Sequence, residues 1–287
     1  MPFLLDRRQF LRSSVALGAL TVRGLADAKN ARIALLSDTH IAADKQDRFR
    51  GFSPHENLRQ ACTQLNEFRP DLLLVNGDLA RKTGESADYA ALCEYLNPLS
   101  QRMPLVVSIG NHDDRKNARA ALTSRKGDLQ PVEQKLVSTL DAGPVQLILL
   151  DSLLATNIAP GQLGHSQREW LRNYLQTQTG KPIIVFVHHN PDPEDDHGLV
   201  DASALLSILQ PDRRVKALIF GHTHVYRLAQ LDRLHLVNLP AVGYNFTDGV
   251  PVGWVEAEFS GAGASIRLRT VANPEPGAAE TQRLPWR

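Results

Sequence analysis

The sequence predicts an α/β fold, because short Val, Ile and Leu runs alternate with helix-like segments and five of those runs stop abruptly at Asp, Asn and His. Ile33 to Leu36 stops at Ser37, Asp38, Thr39 and His40. Leu72 to Val75 stops at Asn76, Gly77 and Asp78, and Leu105 to Val107 leads to Gly110, Asn111, His112 and Asp113. Ile183 to Val187 runs into His188 and His189, and Val215 to Phe220 into Gly221, His222, Thr223 and His224. Such runs between helices mark buried, mostly parallel strands of βαβ units, whose C-terminal ends open onto a ligand crevice. All five polar tips are therefore expected at one edge of a sheet.

The remaining elements follow from periodicity. Glu56 to Phe68, Ala87 to Leu96, Gln167 to Leu175 and Asp201 to Leu209 carry the apolar spacing of helices, with Ser166 and Asp201 placed as caps. Gln134 to Leu140 and Val145 to Leu150 flank Asp141 to Pro144 as a hairpin. In the C-terminal third, Val225 to Leu231, Leu234 to Leu239, Val252 to Phe259 and Ala264 to Val271 read as successive strands of a second, more antiparallel sheet. The Pro/Gly-rich tail over residues 273–287 is expected to be poorly ordered.

Composition excludes more than it assigns. Thirty-two Lys+Arg against 31 Asp+Glu leave no basic field for nucleic acid. Arg7, Arg8, Gln9, Phe10 and Leu11 form a twin-arginine pattern, followed by the moderately apolar Ser13 to Val22 and an Ala26-Asp27-Ala28 end. Residues 1–28 thus read as an export signal, with the twin-arginine machinery as a partner and the periplasm or cell exterior as the destination. No later stretch approaches the length of an apolar membrane span, so no stable anchor is expected after cleavage. Cys62 and Cys93 both fall in helix-like stretches; an oxidising compartment permits a disulfide between them, while folding before export favours two small buried apolar residues. Residues 29–272 are expected to form one domain.

The strand tips carry the chemistry. Imidazole nitrogens and carboxylate oxygens without thiolates suit Mn²⁺, Fe or Zn²⁺ in an open, catalytic shell rather than a closed structural zinc site. Gly77, Gly110 and Gly221 each precede a candidate ligand and permit tight turns there. One Asp-x-His after a strand is ordinarily a surface or hydrogen-bonded core feature; five such signals at five strand ends are not. No Gly-x-Ser-x-Gly elbow, His-Glu-x-x-His, P-loop or Cys-x-x-Cys competes with this reading.

The ordered set Asp-x-His, Gly-Asp, Gly-Asn-His-Asp, His-His-x-Pro and Gly-His-x-His resembles the calcineurin-like metallophosphoesterases. Within them it is similar to class III cyclic-nucleotide phosphodiesterases and related glycerophosphodiesterases. The resemblance covers roughly Arg32 to Phe259 and implies a four-layer α/β/β/α sandwich of two mixed sheets flanked by helices. It also implies two divalent transition ions, Mn and/or Fe with Zn compatible, one held by Asp38, His40 and His224 and one by Asn111, His188 and His222, with Asp78 between them. His112 is then the proton donor to the leaving oxygen. The activity implied is hydrolysis of phosphodiesters by metal-activated hydroxide. Phosphomonoester or pyrophosphate hydrolysis on the same site is the alternative, and a non-catalytic binding scaffold the remote one. Export favours small-molecule or envelope phosphoesters as substrates. One departure from many members is Asn190 where a first proline follows the paired histidines.

Around this core, His189 reads equally as support for its neighbour or as a core histidine, and Asp113 as an orienter of His112 or a helix cap. His55, His165 and His197 are expected in solvent, with the His197 loop able to overhang the site. Tyr244 and Phe246 read as core aromatics of a turn, or as a wall for a base or acyl group. Arg48 and Arg50 suit a solvated loop as well as a phosphate contact.

Overall fold

The computed structural model describes residues 28–122, 127–273 and 280–287, so all but the last residue of the expected export signal lies outside the described residues. In chain order the strands are β1 (Asn30–Leu36), β2 (Leu72–Asn76), β3 (Leu105–Ser108), β4 (Asp128–Leu129), β5 (Ser138–Asp141), β6 (Gln146–Leu149), β7 (Ile183–Phe186), β8 (Val215–Phe220), β9 (Arg227–Leu231), β10 (Leu234–Asn238), β11 (Val252–Ser260), β12 (Gly263–Ala272) and β13 (Gln282–Pro285). The helices are α1 (Pro54–Phe68), α2 (Ser86–Ser100), α3 (Arg115–Ala121), α4 (His165–Thr177) and α5 (Ala202–Leu209).

Two mixed sheets result, ordered β13-β12-β11-β1-β2-β3 and β4-β5-β6-β7-β8-β10-β9. In the first, β1, β2 and β3 are parallel, and β11 continues the sheet antiparallel to β1. In the second, β6, β7, β8 and β10 are parallel, with antiparallel strands at both edges. Alternate residues of each strand face opposite ways. Ile33, Leu35, Leu72 and Leu74 therefore meet Leu147, Ile184, Phe186 and Ile219 in a buried layer between the sheets. The other face of sheet one, with Leu36 and Val75, packs on Leu58, Leu65 and Leu92 of α1 and α2. The other face of sheet two, with Val185 and Leu218, packs on Leu171, Leu175 and Leu205 of α4 and α5. The order helix, sheet, sheet, helix is the expected four-layer sandwich.

Several expectations are corrected. The five polar tips come from two sheets rather than one: β1, β2 and β3 belong to the first, β7 and β8 to the second. The C-terminal strands do not form a sheet of their own, since β9 and β10 extend the second while β11 and β12 extend the first. Alternation identifies a strand, but its neighbour depends on where the connection before it leads. The tail is partly ordered, because β13 pairs with β12 and Trp286 packs against the layer between the sheets. The hairpin exists as β5 and β6, the first strand starting four residues later than expected and the second one residue later.

Local chemistry explains the helix ends. Ser53 Oγ accepts from the Glu56 amide and Pro54 starts α1, which ends at Arg69 with φ of 52°. Gly164, not Ser166, precedes α4, and Asp201 makes no capping bond for α5. The Asp201 carboxylate instead accepts from the Leu163 and Gly164 amides and from Arg168. His55, expected in solvent, is buried, with Nε2 2.8 Å from the Ala42 carbonyl and Nδ1 2.9 Å from the Tyr95 hydroxyl. No disulfide joins Cys62 and Cys93; both are half-buried against the helical side of sheet one. No helix among the described residues is long and apolar enough to cross a membrane.

Candidate metal centre

The two sheets end at a common edge, where Asp38, His40, Asp78, Asn111, His112, His188, His222 and His224 converge. Ligand atoms of Asp38, His40 and His224 lie within 4.8 Å of one another, as do those of Asp78, His188 and His222 and those of His40, Asp78 and His112. Asn111 joins the second group through Oδ1, 3.0 Å from His222 Nδ1. Every residue predicted from the sequence for this site is thus brought to it.

The backbone is bent to achieve this. Asp38, His40, Asp78, His222 and His224 have φ of 52°, 46°, 46°, 69° and 58°, in the left-handed region where a side chain costs roughly 1–2 kcal/mol. Such residues persist where the surroundings over-determine them, and they gather at functional sites. Here, Asp38 and His40 donate their amides to the Gly77 and Asp78 carbonyls at 3.1 and 3.0 Å, tying the β1 tip to the β2 tip. Gly77 has φ of 82°, and a Cβ there would enter the His188 ring. A Cβ on Gly110 would stand 2.6 Å from His188 Nε2 and collide with the Asp78 carboxylate, so only glycine lets β3 approach this closely.

Ring orientations define which nitrogens face inward. His224 Nδ1 sits 2.7 Å from the Tyr244 carbonyl, His188 Nδ1 3.0 Å from the Asn76 carbonyl and His40 Nδ1 3.3 Å from the Arg81 carbonyl. Each Nδ1–H donates outward, leaving the Nε2 lone pair to the centre. His222 is turned the other way: Nε2 donates to the His197 carbonyl at 3.0 Å and Nδ1 faces Asn111. The Nε2 atoms of His40 and His224 then face one another at 3.1 Å, both as acceptors, as do His222 Nδ1 and Asn111 Oδ1. His188 Nε2 is buried without any hydrogen-bond partner. Opposed lone pairs and an orphaned buried nitrogen beside two carboxylates fit bound cations.

Electrostatics agree. Burial lifts the Asp38 carboxyl, but His188 and His224 outweigh it and hold it at about 2. Asp78, likewise raised by burial and pulled down by His188 and His40, ends well below the carboxylate range. Burial lowers His40 to about 3 against the pull of Asp78, and lowers His222 to about 4 with His188 adding to the fall. His188 is the exception: burial lowers it, yet Asp78 and Asp38 raise it to about 10. Both carboxylates and two of the imidazoles are thus already in their ligating forms, and His188 must release a proton to bind a cation.

The surrounding residues fall into supports and covers. Asp113 neither caps α3 nor touches the His112 ring; Asp114 is the cap, accepting from Asn117 N at 2.8 Å. Buried Asp113 instead accepts the Leu79, Ala80 and Gly110 amides and the Tyr89 hydroxyl, bonding the β2 tip to the β3 tip. Burial and Asp78 raise it to about 6, while the three amides pull it down. His189 sets Nδ1 2.7 Å from Ser152 Oγ while its ring lies 4.6 Å from that of His222, so it backs the ligand ring. His112 Nδ1 lies 2.9 Å from the Lys82 carbonyl, and its amide donates to Asp78 Oδ1 at 2.8 Å. Tyr244 is buried and stacks on His40 at 4.6 Å, whereas Phe246 is 51 % exposed and stacks on His224 at 4.3 Å. Arg50 pairs with Asp248 and Arg48 with its neighbour's carbonyl, so both serve loops. The exposed ring of His197 does not enter the centre, but its carbonyl does hold His222.

Sequence reasoning missed Asn76, Tyr89 and Ser152. Asn76 stands in the Asn-Gly-Asp tip, where its carbonyl takes His188 and its side chain donates to the Val187 carbonyl across to sheet two. Tyr89 and Ser152 carry no local signal, because their partners lie 24 and 37 residues away.

A sandwich of two sheets with an His, Asp and Asn cluster at their shared edge defines a metal-dependent phosphoesterase architecture. Residues 31–226 match the calcineurin-like phosphoesterase family, and the chain belongs to it. It is 28% identical over 265 residues to a 3',5'-cyclic-nucleotide phosphodiesterase of Nostoc, covering 88% of this chain and 92% of that one. It is 27% identical over 216 residues to the glycerophosphodiester phosphodiesterase of Enterobacter lignolyticus, covering 73% and 76%. In fold it is similar to a dimetal phosphatase from Danio rerio, with a TM-score of 0.69, 15% identity, and 90% and 99% of the two chains covered.

Proposed function

We propose that the chain hydrolyses phosphodiesters at a binuclear metal centre. The observation that carries this is the pair of clusters, Asp38, His40 and His224 beside Asp78, His188 and His222, with Asn111 on the second and Asp78 reaching His40 as well. Asp38, His40 and His224 would hold one ion and Asn111, His188 and His222 the other, with Asp78 within reach of both. The nitrogen and oxygen donor set favours Mn and/or Fe, with Zn compatible. When bound, the ions neutralise the phosphoryl oxygens and lower the pKa of a water nucleophile.

The chain's own residues do the rest. With Nδ1–H on the Lys82 carbonyl, His112 acts as donor in its doubly protonated form, giving the Nε2 proton to the departing oxygen and itself becoming neutral. The Asp78 carboxylate holds the His112 amide and so sets that ring against the centre. Diesters are favoured over monoesters because the relatives quoted above are named for diester substrates. The twin-arginine pattern supports periplasmic or extracellular action, on small-molecule or envelope phosphoesters delivered outside the cytoplasm.

The test compares bis-p-nitrophenyl phosphate with p-nitrophenyl phosphate as substrates of the Mn²⁺-loaded enzyme. Preference for the diester, abolished by Asn111→Ala, is expected. Preference for the monoester would replace the reading with a phosphatase, and no turnover of either would return the scaffold.

A further inference from the structure

We infer that Phe246 is the specificity shelf for the non-leaving group of the diester, and that this group presents a planar ring face, that of an aryl ring or nucleobase. The inference rests on the phosphodiesterase reading above and deepens it. Four rings of the centre are neighbours in succession, the middle two, His40 and His224, buried. Phe246 stacks on His224 with centroids 4.3 Å apart and planes at 24°, His224 lies 5.0 Å from His40, and His40 lies 5.3 Å from His112. His112, which protonates the leaving oxygen, ends this succession on one side, and Phe246 ends it on the other. In-line displacement sets the attacking oxygen opposite the leaving oxygen, so with the leaving oxygen at His112 the group that stays on phosphorus projects to the side of that line, where the exposed ring of Phe246 beside His224 is the apolar surface open to it.

Phe246 is built to receive such a group. One face of its ring is occupied by His224, yet the residue remains 51 % exposed, so apolar ring surface is left uncovered next to a polar centre. Its position is held from three sides. Phe49 meets it edge-on at 6.4 Å, Arg50 pairs with Asp248 at 2.5 Å, and buried Asn245 donates to the Val250 carbonyl within the same loop. Tyr244, two residues earlier, is fully enclosed and has no such free face. The bond that orients His224 comes from the backbone carbonyl of Tyr244, so the Phe246 side chain can change without releasing that ring.

The experiment measures kcat/KM of the Mn²⁺-loaded enzyme for phenyl p-nitrophenyl phosphate and for methyl p-nitrophenyl phosphate, which share one leaving group. It uses wild type, Phe246→Ala and Phe246→Tyr. The phenyl-to-methyl ratio is expected to fall about tenfold in Phe246→Ala and to be retained in Phe246→Tyr, with two metals per chain in all three. Any loss common to both esters cancels from the ratio. An unchanged ratio in Phe246→Ala, with both esters still turned over, overturns the shelf and leaves the phosphodiesterase reading intact. Turnover of neither ester by wild type overturns that reading and the shelf with it.

Discussion

The tips of sheet one and the tips of sheet two supply different things to the same centre. Sheet one gives both carboxylates, Asp38 and Asp78, on loops locked to one another by backbone bonds and by the buried Asp113. Sheet two gives only imidazoles, and one of them, His222, is partly exposed, its ring held by the His197 carbonyl and its amide by the Asp38 carboxylate. Both carboxylates thus come from sheet one and imidazoles alone from sheet two, whose own tips are joined by the Gly221 amide donating to the His188 carbonyl at 2.9 Å.

Substitutions in the two sets of tips should separate them. Asp78→Ala removes the group common to both clusters and should lower kcat/KM by on the order of a thousandfold or more, with loss of metal. His222→Ala should cost about ten- to a hundredfold, mostly as weaker affinity for one ion, measured by activity against added Mn²⁺. Equal losses in the two variants would erase the distinction. Gly110→Ala tests the interlock itself: its Cβ meets Asp78 and His188, so stability should fall by about 2–3 kcal/mol in denaturant unfolding. The smallest effect lies at the far end of sheet two. Arg214 holds the Asp212 carboxyl below its usual range against the opposing effect of burial, and also bonds carbonyls at the end of α4. A depressed carboxyl contributes stability above its unfolded pKa and loses it as pH falls through and below the folded value. Asp212→Asn should therefore flatten the acid limb of unfolding below about pH 4 by roughly 1 kcal/mol or less and leave turnover unchanged.

What was legible in the sequence divides along the same physical line. Strand tips were readable because an apolar run ending in Asp, Asn or His reports both burial and its abrupt end within a few residues. The candidate ligands all sit at such ends, so Asp38 through His224 were found without any knowledge of the sheets. Sheet membership was not readable, since β9 and β11 look alike by alternation yet join different sheets. Contacts between distant segments were also hidden. His55 looked like a loop histidine because its partners, Ala42 and Tyr95, are 13 and 40 residues away. Tyr89 looked like a helix aromatic, although its hydroxyl fixes Asp113 at 2.9 Å. The left-handed backbone at five site residues had no signal at all, because Asp and His adopt it only under the hold of the surrounding fold.

The central claim is that both sheets together hold two ions sharing Asp78. Titrating the metal-free protein with Mn²⁺ while recording its electron paramagnetic resonance tests this most directly. Saturation at two Mn²⁺ per chain with a spin-coupled pair signal is expected in wild type, and loss of that signal in Asp78→Ala. Saturation at one ion per chain, or two ions showing only uncoupled six-line spectra, would contradict it.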